Sequence, residues 1–137
     1  EKEAARYSRL LEKFPTDIVC MGIGENGHIA FNDPPVADFS DPLMVKKAEL
    51  DPACRTQQVN DGCFESLDKV PKYALTLTVP SLVKAKYLVC TVPAKTKERA
   101  VYHTLSDEIS ECCPATVMRR HAHAVLFCDS DSGVAFI

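Results

Sequence analysis

Between Gly22 and Asp33 the chain sets an imidazole, His28, a carboxylate, Asp33, and two carboxamides, Asn26 and Asn32, within eight positions. An imidazole beside a carboxylate is a pair suited to moving protons near neutral pH, because free imidazole titrates at about 6.5 and a carboxylate can orient it and stabilise its cation. Three glycines, Gly22, Gly24 and Gly27, precede or interleave these groups, directly after the apolar run Ile18–Met21. Glycine accepts positive φ and lets backbone approach a ligand closely, so a strand running into such a loop marks a binding edge at the strand's carboxyl end. Ile29, Ala30 and Phe31 can anchor the polar groups in an apolar layer.

The spacing Gly22-x-Gly24-x-x-Gly27 also satisfies the dinucleotide fingerprint G-x-G-x-x-G. That fingerprint needs a helix directly after its last glycine, so that terminal amides can hold pyrophosphate. Only six residues separate Gly27 from Pro34, and Pro34-Pro35 ends any helix, so a nicotinamide or flavin is not expected here.

The elements that must position this loop alternate between strand and helix. Ala4, Tyr7, Leu10, Leu11 and Phe14 recur at helical intervals over Lys2–Phe14, and Pro15 closes that helix. Ile18–Met21 reads as a strand, and Val36–Pro42 as an irregular surface segment. Leu43–Leu50 fits an edge strand. Asp51-Pro52 opens a turn or helix, and Cys54–Asn60 is polar enough to face a ligand. Tyr73–Val79 alternates as a strand does, and a short helix opens at Pro80-Ser81. Tyr87–Val92 is apolar except for Thr91, the pattern of a strand covered on both faces, and a helix is expected from Pro93 to about Leu105. Pro114–His121 predicts a further short helix and Ala124–Cys128 a last buried strand. The sum is an α/β chain with a mainly parallel sheet.

Composition narrows the classes of function. With 137 residues, 46% hydrophobic and 26% charged, the chain suits one globular α/β domain burying about two thirds of its unfolded surface. A net charge of −3 and a pI near 5.8 give no general attraction for nucleic acid or an anionic membrane, so any anionic ligand needs a local pocket. No apolar run approaches the roughly 18 residues of a membrane span, and no signal peptide opens the chain. It starts at Glu1 inside a helical pattern, as a piece of a longer protein would. Seven cysteines without a C-x-x-C, several of them in apolar runs, read as reduced thiols of a cytosolic protein rather than as disulfides or zinc ligands. His121-x-His123 lacks acidic or thiol partners at ligand spacing, Arg119-Arg120 reads as a solvated or inter-subunit patch, and His103 has no identifiable task. On its own a loop histidine is ordinarily a hydrogen-bonded surface residue, and Lys97 ordinarily a solvated helix lysine.

The joint pattern departs from that ordinary reading. G-I-G-E-N-G-H-I-A-F-N-D-P at Gly22–Pro34 resembles the signature of the glucosamine-6-phosphate deaminase/isomerase family. V-P-K-Y-A-L-T at Val70–Thr76 resembles a second family segment, and the strand and helix with Lys97 and the stretch Pro114–Asp129 continue the likeness in order. The resemblance covers nearly the whole chain and corresponds to the C-terminal half of the family's chain. It implies a Rossmann-like three-layer fold, of which these residues supply that half, and conversion of glucosamine 6-phosphate to fructose 6-phosphate and ammonia in amino-sugar catabolism, without a nucleotide cofactor or a metal. His28 matches the family's ring-opening histidine. Asp33 stands where the family usually has glutamate, and Asn26 at a position that is aspartate or asparagine. Lys97 matches the phosphate lysine, and Arg55, the only arginine between Pro34 and Val70, is carried over as the phosphate arginine. Gly24 and Gly27 would line the substrate. The base that removes the C2 proton, and a small-residue phosphate loop, belong to the half not in this sequence, so this half alone is expected to be inactive. A cytoplasmic homo-oligomer acting on a sugar phosphate is implied. Two other readings stay open: a lactone hydrolase of the related 6-phosphogluconolactonase type, and a sugar-phosphate-binding module without turnover.

Overall fold

The computed structural model describes residues Glu1–Ile137. Three strands, β1 (Ile18–Met21), β4 (Tyr87–Val92) and β5 (Ala124–Cys128), form a parallel sheet in the order β1-β4-β5. Register pairs Met21 with Cys90 and Val92 with Cys128, so the carboxyl ends of all three strands lie along one edge. The loops that leave that edge carry the residues singled out above: the glycine loop follows β1, the Lys97 segment follows β4, and Asp129 follows β5. A separate antiparallel pair, β2 (Val45–Glu49) and β3 (Tyr73–Leu77), fills the connection from β1 to β4. Both readings of the sequence, a mainly parallel α/β chain and an edge strand within Leu43–Leu50, agree with this arrangement.

Helix α1 (Lys2–Lys13) runs as its apolar spacing predicts, and Glu3 pairs with Arg6 one turn on. Helix α2 (Pro52–Asn60) starts where Asp51 accepts a hydrogen bond from the Ala53 amide at 2.8 Å, with proline at its first position, where a missing N–H costs nothing. Helix α3 (Val79–Val83) is a single short turn near Pro80.

Two helices differ from expectation. The helix foreseen from Pro93 begins later, as α4 (Glu98–Ser106), after a 3₁₀ turn at Lys95–Lys97. Ala94 takes φ 84°, outside helical space, and its amide donates to the Asp129 carboxylate at 2.8 Å, which delays the helix. The segment Pro114–Arg120 is 3₁₀ rather than α. There the Thr116 hydroxyl donates to the Cys113 carbonyl at 2.6 Å, competing with the α-type bond in a run that is also β-branched.

Leu88, Cys90 and Val92 point from the central strand into one core with Ile23, Ile29, Val101, Ala115 and Met118. Fully burying each of the larger aliphatic side chains contributes roughly 1.5–3 kcal/mol, which makes this face the anchor for the loops above it. The opposite face of the sheet is open, against the expectation of strands covered on both sides. Ile18 is 55% exposed, Tyr87 42%, Val125 50% and Phe127 55%, and β5 is therefore not the buried strand its composition predicts. Runs of apolar residues mark such strands in the sequence, and periodicity cannot tell which face has its cover within the same 137 residues. Helices pack on one face only, so the third layer is not supplied by these residues.

Candidate active site

The glycine loop turns back on itself without forming a helix, as the short interval to Pro34 predicts. Gly27 has φ +82° and Ala30 φ 50°, and an isolated bridge joins Ile29 to Asn32. This places His28 over Gly24: a Cβ added at Gly24 would lie 2.0 Å from Cε1 of the imidazole. Gly24 is thus required by the ring that packs on it, and it also lines the cavity. Gly27 faces the other way, where an added Cβ would meet the Cys113 Sγ at 2.6 Å, so its part is in folding the loop. Asn32 likewise does not face the cavity. Its amide donates to the Ile29 and Leu77 carbonyls at 3.0 and 2.9 Å, tying the turn to β3.

His28, Asn26 and Asp33 close a triangle. Nδ1 of His28 lies 2.7 Å from Asn26 Oδ1 and 3.0 Å from Asp33 Oδ1, and the Asn26 amide nitrogen donates to the same Asp33 oxygen at 3.0 Å. The orientation of the Asn26 carboxamide follows from its neighbours, since its oxygen also accepts the His28 backbone N–H at 3.1 Å while its nitrogen meets a carboxylate. Both groups facing Nδ1 are acceptors, so in the neutral ring the proton sits on Nδ1. Nε2 then carries the lone pair and has no hydrogen-bond partner in the protein, the state of a general base.

Asp33 is fully buried. Burial pulls its carboxyl upward, but hydrogen bonds from His28, from Asn26 and from the Asp51 amide at 3.0 Å outweigh it and hold the group below its ordinary value. It stays charged and ready to stabilise an imidazolium. Cys54, from the first turn of α2, is buried beside it. Burial, then the Asp33 charge, push the Cys54 thiol up to about 12.

His28 and Lys97 share the wall of one cavity of about 350 Å³, with Gly22, Gly24, Gln57 and Thr91 among the other lining residues. Lys97 reaches it from the turn that Asp129 fastens. A larger crevice of about 450 Å³ opens on the far side of the glycine loop and is bordered by Asn26, Gly27, Arg99 and His103, but by neither His28 nor Lys97. The imidazole and the lysine ammonium thus border the smaller space.

Arg55 is not part of that wall. Its guanidinium donates to the Leu67 and Val70 carbonyls at 2.7 and 3.0 Å, which pins the loop between α2 and β3. The resemblance carries Arg55 over as the only arginine between Pro34 and Val70, and helix geometry turns it away from the cavity. Two residues near the site fall in Cys54–Asn60, the stretch expected to face a ligand, but the sequence does not single them out individually. Gln57 accepts the Glu25 amide at 3.0 Å and lines the cavity. Cys54 lies three residues before it, on the same side of α2, so the helical spacing Cys54–Gln57 was the available clue. A donor atom from each of His28, Asp33 and Cys54 lies within 4.8 Å of the others, a grouping able to hold a metal ion that residue spacing alone does not reveal.

A profile of the family glucosamine-6-phosphate isomerases/6-phosphogluconolactonase matches residues 1–127. The chain is 37% identical over 132 residues to a glucosamine-6-phosphate deaminase of Bacillus cytotoxicus, covering 96% of this chain and 48% of that protein. It therefore spans about half the length of the curated relatives it matches. Among solved structures, a monomeric glucosamine-6-phosphate deaminase superposes with a TM-score of 0.88 at 33% identity, over 97% of this chain and 54% of that one. A 6-phosphogluconolactonase from Leishmania guyanensis superposes with a TM-score of 0.72 at 22% identity, over 98% and 52%, a likeness of fold.

Proposed function

Because the chain belongs to the family of glucosamine-6-phosphate isomerases and 6-phosphogluconolactonases, we propose that it is the C-terminal part of an amino-sugar-phosphate isomerase and deaminase, which converts glucosamine 6-phosphate to fructose 6-phosphate and ammonia. The observation that carries this reading is the shared cavity: an imidazole with a free Nε2 lone pair and a lysine ammonium bordering one space.

His28 Nε2 takes the proton of the anomeric hydroxyl and returns it to the ring oxygen as the C1–O bond to that oxygen opens, giving the free aldehyde. Asp33, at 3.0 Å from Nδ1, stabilises the transient imidazolium, and Asn26 keeps the ring turned toward the sugar. Lys97 neutralises the phosphate. A base from the remainder of the protein removes the C2 proton. With the C1 oxygen taking up a proton, the resulting enolamine is protonated at C1 to the C2 imine, and water adds to C2, releasing ammonia and leaving the ketose.

Single-domain architecture over residues 1–137, self-assembly and a cytoplasmic location belong to the same reading. The reducing interior of a cell suits seven unpaired thiols, and no helix is long and apolar enough to cross a membrane. Light scattering of the full-length protein tests assembly.

The decisive assay offers the full-length protein glucosamine 6-phosphate and 6-phosphogluconolactone in parallel. Ammonia release from the first supports the proposal. Lactone cleavage without ammonia release assigns the hydrolase instead, and tight binding of the amino sugar with no product assigns a binding module.

A further inference from the structure

We propose that His28, Asp33 and Cys54 form an inhibitory site for a thiophilic divalent cation of the Zn²⁺ class, occupied at the expense of the proton relay. Binding rests on the geometry of the three side chains alone, whereas the inhibition rests on the function proposed above.

One imidazole nitrogen, one carboxylate oxygen and one sulfur lie mutually within 4.8 Å. Zn²⁺ bonds nitrogen and oxygen at about 2.0–2.2 Å and sulfur at about 2.3 Å, so its tetrahedral donors stand roughly 3.3–3.8 Å apart. His28 Nδ1 and Asp33 Oδ1 are already 3.0 Å from each other, and the Cys54 sulfur, within 4.8 Å, needs only a small approach to complete the set. Asn26 Oδ1, 2.7 Å from Nδ1, stands beside the three as a neutral fourth donor. Charge also favours occupancy. Thiolate and carboxylate together balance a dication, with the imidazole neutral, so the bound site is uncharged in a place where all three groups are largely desolvated. The sulfur selects against Mg²⁺ and Ca²⁺, which prefer oxygen.

Occupancy changes two protons. Cys54 loses its thiol proton to solvent, and the proton on His28 Nδ1 gives way to the metal and is replaced by one on Nε2. The lone pair that faces the sugar becomes an N–H donor, and Asp33 turns from the imidazole to the ion. The same three side chains thus exist as a proton relay or as a metal site, and the two states exclude each other.

Co²⁺ serves as the spectroscopic probe and Zn²⁺ as the inhibitor, both with the full-length protein. Four cysteines, Cys20, Cys63, Cys112 and Cys128, are exposed and are first replaced by serine to remove surface binding. In that background Co²⁺ is expected to give a thiolate-to-metal charge-transfer band that Cys54→Ser abolishes. Cys54→Ser is also expected to weaken Zn²⁺ binding, measured against a chromophoric chelator, by more than the roughly 10–100-fold typical of losing an outer-shell partner. If serine at this buried position unfolds the protein, Cys54→Ala takes its place. No band in the four-serine background overturns the proposal whatever the Cys54 variants do, and a band that persists after Cys54 is replaced overturns it too. Ammonia release should fall in step with Zn²⁺ occupancy and recover with chelator. A protein that binds the metal but never releases ammonia keeps this site and refutes the deaminase reading, while an active protein untouched by bound Zn²⁺ refutes the inhibition.

Discussion

Replacing Asp33 by asparagine tests the relay at its buried end. Every neighbour of the carboxylate is a donor: His28 Nδ1 at 3.0 Å, the Asn26 amide at 3.0 Å and the Asp51 backbone N–H at 3.0 Å. An amide nitrogen has no acceptor there in either orientation. One donor is left facing another, a cost of about 1–3 kcal/mol in stability. Catalysis loses more. A carboxylate and an imidazolium 3.0 Å apart interact by about 5.5 kcal/mol at an effective dielectric of ~20, and Asp33 is fully shielded from solvent. If about half of that develops in the transition state and the amide oxygen still accepts from Nδ1, close to 3 kcal/mol is lost, or a factor of ~10² in kcat; the amide rotamer that places nitrogen against Nδ1 moves the ring proton to Nε2 and extends the loss toward ~10⁴. Steady-state ammonia release by the full-length variant, with KM nearly unchanged, is the expected result. A kcat within about threefold of wild type refutes the role assigned to the triangle. Denaturation against pH gives an independent reading. The folded-state pKa of Asp33 lies below its ordinary 3.8, so its stabilisation is complete above that value and is lost as pH falls through the lowered one. The asparagine variant should lack that acid-dependent component.

Lys97→Ala is expected to raise KM for the phosphorylated sugar with a smaller effect on kcat, and added salt should narrow the difference from wild type. Arg55→Ala should lower unfolding free energy by roughly 1–3 kcal/mol, through the freed Leu67 and Val70 carbonyls, and leave KM unchanged; a raised KM at wild-type stability would restore it to phosphate binding. Asp129 accepts backbone N–H groups from Ser132, Ala94 and Asp131, which lower its pKa to about 2. Its contribution to folding is therefore present above about pH 4 and disappears between there and pH 2. Asp129→Asn should flatten the acid limb of the stability profile and raise KM by loosening the Lys97 turn, which urea melts across that range and steady-state kinetics will show.

Much of the site was legible because its parts are local. Gly24, Asn26, His28 and Asp33 lie within ten residues, and the interval to Pro34 already required turns rather than a helix. The distance between His28 and Lys97 along the chain is bridged by an elementary rule, that parallel strands bring their carboxyl ends to one edge. Arg55 and Cys54 were misjudged or missed for one reason: adjacent helix positions point about 100° apart, and which of them faces the cavity depends on how α2 docks, not on its composition. The late start of α4 was hidden because it follows from a tertiary hydrogen bond, Asp129 to Ala94, between residues 35 positions apart. The open sheet face was equally hidden, since apolar side chains at Ile18, Val125 and Phe127 look the same whether or not something covers them.

That bare face has a practical consequence for handling the chain. Ile18 and Tyr87 are register partners, as are Val89 with Val125 and Thr91 with Phe127, so the exposed groups form a continuous greasy panel rather than scattered spots. Expressed by itself, a polypeptide with such a panel sticks to its neighbours as concentration rises, and its yield in the soluble fraction should fall steeply above dilute conditions. Placing a lysine at Val125, whose register partner Val89 does not line the cavity, would keep this half dispersed for spectroscopy.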